Sequence, residues 1–90
     1  MVGRVGVQAT SLEAYTELLY ELGDKQQIVL ETIQQHPNAS NHDLARILHW
    51  EINCVTGRVK ELREMGYVLD NGEKIDRITG RRVMKWISAK

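Results

Sequence analysis

Between Ser40 and Val68 the apolar residues fall into two helical registers that cannot belong to one helix. Leu44, Ala45, Ile47 and Leu48 recur at helical spacing, and Ile52, Val55, Val59 and Leu62 restart the period after a break near Trp50-Glu51. Two short helices joined by a tight corner satisfy both registers if they cross and share those residues as one core. The second helix, expected over 52–65, then turns Asn53, Thr56, Gly57 and Lys60 outward, with Arg58 and Arg63 on its flanks. That face is polar and basic, and an α-helix presenting such groups fits the major groove of duplex DNA. A glycine inside a helix costs about 1 kcal/mol against alanine, so Gly57 has no purely structural reason to be there, whereas a bare backbone permits close approach to another molecule.

The punctuation supports the same segmentation. Ser40 with Asp43 three residues later forms a capping box, with Asp in place of the usual Glu, that opens a helix at about Asn41. Gly66 after Met65 suits the left-handed residue that ends the second helix, and Tyr67-Val68-Leu69 begins extended chain. Upstream, Asp24 is read as capping a helix through about His36 with Ile28, Val29, Leu30 and Ile33 inside, closed by Pro37-Asn38. Downstream, Asn71-Gly72 permits a bend and Thr79-Gly80 is the expected tip of a hairpin between Lys74-Ile75-Asp76 and Val83-Met84-Lys85-Trp86-Ile87.

The order Asp43-Leu44-Ala45, Leu48, Val55, Val59, Leu62, Gly66-Tyr67-Val68 resembles the helix-turn-helix of winged-helix transcription regulators, and the resemblance runs from the helix around Ile28 to the last strand. It implies an α/β (α+β) winged helix-turn-helix fold, three to four helices followed by a two-stranded wing. It also implies sequence-specific binding of double-stranded DNA, with helix 52–65 in the major groove and wing 74–87 on flanking DNA. The residues expected on DNA are Asn53, Thr56, Gly57, Arg58, Lys60 and Arg63 from the helix and Arg77, Arg81 and Arg82 from the wing. Arg63 has an alternative as the partner of a neighbouring glutamate. The wing arginines have one as charges that keep an edge hairpin from aggregating, and Glu73 and Asp76 are expected to neutralise part of their patch.

Charge is informative through its distribution. Twelve basic residues balance twelve acidic ones, and a net charge of zero is unusual for a protein whose affinity depends on neutralising phosphates. Yet the first fifty residues hold three basic against six acidic groups, and the last forty hold nine against six. The basic excess lies where the motif lies. Because that excess is small, two copies on one site would strengthen binding. Residues 11–22 offer a means: Ser11 can cap a helix with Leu12, Tyr15, Leu18, Leu19 and Leu22 in a broad stripe and Glu13, Glu17 and Glu21 on another face. This is read as a dimerisation helix, preceded by an arm or edge strand over 1–10 and followed by a winged-helix core over 24–88, in one domain.

Other chemistry finds little support. The lone Cys54 excludes an internal disulfide, and no ligand spacing for zinc exists among Cys54, His36, His42 and His49. Cys54 is read as a packing residue, with a redox switch beside Arg58 as the alternative. Trp50 and Trp86 are read as core or corner residues, with base-stacking platforms as the alternative. No phosphate-cradling loop, supported nucleophile and base, or carboxylate pair points to an enzyme, and no cofactor is expected. With no apolar run of membrane length and no signal-peptide pattern, the expected compartment is the cytoplasm. The runner-up function is a winged-helix protein-protein module in a replication or transcription assembly, which a neutral net charge also allows.

Overall fold

A computed structural model describes residues 22–89. Its elements in chain order are α1 (Asp24–Gln35), α2 (Asn41–Leu48), α3 (Ile52–Glu64), β1 (Val68–Ile75) and β2 (Arg82–Ser88). The arm over 1–10 and residues 11–21 of the expected dimerisation helix lie outside the described residues, whereas Leu22, the last residue of its stripe, is described and is buried in the core at 6% exposure. Three helices and an antiparallel two-stranded hairpin therefore make up the described fold.

Helix boundaries follow the local chemistry. At the start of α1 the cap position is taken by Gly23 rather than Asp24, which is the first helical residue; the Gly23 amide donates to the Gln26 Oε1 at 2.9 Å. At α2 the Ser40 hydroxyl accepts from the Asp43 amide and the Asp43 carboxylate accepts from the Ser40 amide, both at 3.1 Å, the reciprocal capping box expected from the residue pair. His49, left-handed at φ 58°, turns the chain out of α2 and allows the Trp50 amide to reach the Ala45 carbonyl. The exit of α3 closes through Gly66 at φ 87°, whose amide donates to Arg63 O while that of Tyr67 donates to Leu62 O. Glycine takes this conformation without the steric penalty other residues meet there.

Leu22 just before α1, Val29, Leu30 and Ile33 from α1, Ala39 from the α1–α2 connection, Leu44 from α2, Val55, Val59 and Leu62 from α3, Val68 from β1 and Trp86 from β2 form one core. Ala45, Leu48 and Trp50 pack against it half-buried. Two apolar residues expected inside are not: Ile28 is 40% and Ile47 41% exposed. Each sits on the shoulder of its helix, where the period alone leaves the direction open, and no described element covers that shoulder.

The hairpin is longer than expected, since β1 begins at Val68 and continues through Asn71-Gly72 with a bulge between Asp70 and Glu73. Gly72 carries the bend at φ 97°. β2 is held on its other side as well: the Asn38 amide donates to Trp86 O at 2.8 Å and the Trp86 amide to Ala39 O at 3.0 Å. The Trp86 indole N–H donates to Asn41 Oδ1 at 2.9 Å. Trp86 thus fastens the hairpin to the α1–α2 connection and to the start of α2, the packing role read from sequence. Among the described residues no helix is long and apolar enough to cross a membrane.

Candidate nucleic-acid interface

The core residues of α3, at intervals of four and three, fix its rotation and leave Asn53, Gly57, Lys60 and Glu64 along the opposite line. Asn53, Thr56 and Lys60 are exposed. A methyl group placed on Gly57 would meet no atom within 4 Å, so nothing in the fold requires glycine there. Glu64 adds a negative charge at the far end of this line, which confines its polar and basic portion to Asn53 through Lys60.

The two flanks of α3 differ. Arg58 lies on the side of α1 and donates from Nε and Nη2 to the two oxygens of Glu61, both at 2.8 Å. Glu61 also accepts from Gln26 Nε2 at 2.6 Å, and these bonds, Arg58 first, hold its carboxyl below the ordinary range. Arg58 is therefore committed to a neighbour in the free protein. On the opposite flank the Arg63 guanidinium sits 4.8 Å from the centre of the Trp86 ring, a cation–π seat and not the glutamate partner that sequence allows. Thr56, on the same side, is 3.5 Å from Asn41 Nδ2.

Asn41, His42, Ile52, Thr56, Val83, Met84 and Trp86 line one cleft. The first turns of α2 and α3 and the strand β2 consequently border a common surface. Sequence does not single out Asn41 for this place; the signal it holds is a tryptophan whose indole N–H needs an acceptor when buried.

At the hairpin tip the structure corrects one expectation. Asp76 does not neutralise the arginines beside it. Its carboxylate is buried, accepts from Nη1 and Nη2 of Arg46 on α2, both at 2.9 Å, and from the Thr79 amide at 2.8 Å. The Arg46 bonds and then the Thr79 amide hold its carboxyl far below the usual carboxylate range. Lys74 reaches across to Asp43 in a second link between hairpin and α2. Burial works to raise the Asp43 pKa, but the bonds from Lys74 and Ser40 outweigh it and the net shift is downward. Glu73 does take the role expected of it, pairing loosely with Arg82 at 3.7 Å. Arg77 and Arg81 are exposed and form no ion pair among the described residues.

Crossed helices that share a core, an exposed polar line on the second of them and a basic hairpin bordering the same cleft define a recognisable arrangement. Residues 24–68, half of the chain, match the family described as winged helix-turn-helix DNA-binding. The chain belongs to this winged helix-turn-helix DNA-binding family. Among solved structures, a MarR protein from Peptoclostridium difficile superposes with a TM-score of 0.62 at 20% identity, over 87% of this chain and 48% of that one. At that identity the likeness is one of fold, and the chain spans about half the length of that protein. No curated protein matches. In the terms of the family α2 and α3 are the helix-turn-helix and β1–β2 is the wing. Among the described residues no group of His, Cys, Asp or Glu side chains could hold a metal ion.

Proposed function

We propose that the chain is a sequence-specific regulator of transcription whose DNA-binding domain is residues 24–88. Helix α3 reads base edges in the major groove through Asn53, Thr56 and Lys60, with Gly57 letting the helix backbone come close. The wing lies on flanking DNA, with Arg77, Arg81 and Arg82 toward phosphates or minor groove. Arg63 reaches the backbone from its seat on Trp86. Arg58 and Arg82 exchange their glutamate partners for phosphate on binding. The single observation that carries this reading is the open, polar face around Gly57 bordering the same cleft as the wing strand β2.

Alanine at Asn53, Thr56 or Lys60 is expected to weaken binding to a selected duplex by about 1–3 kcal/mol for each base-reading side chain removed, with melting unchanged. Gly57→Ala separates stability from function. It should stabilise the helix by up to about 1 kcal/mol and weaken DNA binding, measured by calorimetry and by anisotropy titration on one preparation. Unchanged affinity in all four variants would contradict the assignment of this face.

We further propose that the regulator is a homodimer joined through the helix of residues 11–22. The stripe of Leu12, Tyr15, Leu18 and Leu19 supports this, as does the uncovered Ile28 on α1, while Leu22 at the end of the stripe belongs to the core of the described domain. A dimer in sedimentation at micromolar concentration, converted to monomer by Leu19→Glu, is the expected result; a monomeric parent would contradict it.

A further inference from the structure

The tip of the wing is a rigid turn that carries an isoleucine at its apex. The Asp76 amide donates to Arg81 O and the Gly80 amide to Asp76 O, both at 2.8 Å. Thr79 Oγ1 accepts from the Arg81 amide at 3.3 Å, and the buried Asp76 carboxylate ties the whole turn to Arg46. Within this frame Ile78 is 74% exposed, the highest value for any large apolar side chain among the described residues. Arg77 precedes it and Arg81 follows the turn, both exposed and outside any ion pair among the described residues. An apolar side chain held out on a fixed support between two unneutralised guanidinium groups matches the minor groove in charge and in width. That groove is about 6 Å across and attracts arginine, and proteins that deform DNA insert isoleucine, leucine or phenylalanine between base pairs from this side.

We propose that Ile78 is a wedge that enters the minor groove at a flexible pyrimidine–purine step beside the site read by α3, with Arg77 and Arg81 on the groove walls, so that binding bends the duplex. This rests on the reading that the wing lies on DNA. It adds a second source of specificity, because the energy of unstacking a step depends on its sequence even where no base edge is touched. The rigidity of the turn matters to the mechanism. A loop free to yield would fold away from the stacked bases, whereas the Asp76–Arg46 anchor transmits the push to α2 and the core.

The test uses a duplex enriched from random sequence by the full chain, labelled at both ends for energy transfer. The wild-type protein is expected to bend it by at least about 20°. Ile78→Ala should remove most of the bend and weaken binding about tenfold, while Ile78→Leu keeps both. Melting should be unchanged in both variants because the side chain is exposed. A straight wild-type complex whose affinity still falls on Arg81→Ala would overturn the wedge and leave the wing on DNA. So would an Ile78→Ala complex bent as far as the parent. If Arg81→Ala leaves DNA affinity unchanged and Ile78→Ala instead alters sedimentation, both the wedge and the wing reading fail, and Ile78, which lines one cleft with Ile47 and Ile75, belongs to a protein interface.

Discussion

Trp86→Ala is expected to destabilise the protein by about 3–5 kcal/mol, a large share of the 5–15 kcal/mol typical of a folded domain. The effect has three parts that the fold places on one side chain. The ring fills the core between α1, α2 and β2, the indole N–H satisfies Asn41 Oδ1, and the outer face seats Arg63. Trp86→Phe keeps most of the bulk and leaves Asn41 without its donor, so it should cost about 1–3 kcal/mol. Thermal melting of the two variants checks the order. A phenylalanine variant as unstable as the alanine one would show that the hydrogen bond, not the packing, holds the wing in place.

The second large effect concerns charge at the wing. Joint replacement of Arg77 and Arg81 by alanine removes two cations that no described carboxylate neutralises. If both meet phosphate, the slope of log affinity against log salt should flatten by about 1.8, and affinity at 0.15 M salt should fall about thirtyfold for every duplex. Anisotropy titrations between about 0.05 and 0.3 M salt read both quantities. Melting should change little, because the turn is held by Asp76, Thr79 and backbone groups rather than by these side chains. A slope unchanged from the parent would place the wing off the DNA.

Much of the architecture is legible in the sequence because it depends on neighbours along the chain. The Ser40–Asp43 box, the corner after Leu48, the Gly66 exit and the Thr79-Gly80 tip each follow from residues within a few positions of one another, and helical period alone puts Val55, Val59 and Leu62 inside. What the residues do not disclose depends on distance or direction. Arg46 and Asp76 are thirty positions apart, so the anchor that frees the wing arginines from their nearest acid cannot be read from spacing. The Asp-Arg-Ile-Thr-Gly run does hold a local sign of it, an aspartate placed to cap a turn three residues on. Ile28 and Ile47 defeat the helical period because a helical shoulder is buried only if something packs on that side. Arg58 with Glu61 at i, i+3 is a pair that helical spacing permits, yet permission does not choose between a glutamate and a phosphate. Arg63 has an aromatic partner more than twenty positions away that no local rule names.

The central claim is that the exposed line of α3 reads DNA sequence, and it is tested most directly by selecting binding sites from random duplexes with the wild-type chain and, in parallel, with Asn53→Ala. The expected result is an enriched motif with two inverted half-sites about one helical turn, roughly 34 Å, apart. In the variant, specificity should disappear at one position of each half-site and persist at the others. No enrichment by the wild-type protein, together with retention on random duplex that does not fall as salt rises, would contradict the account and assign the same helices to a protein partner.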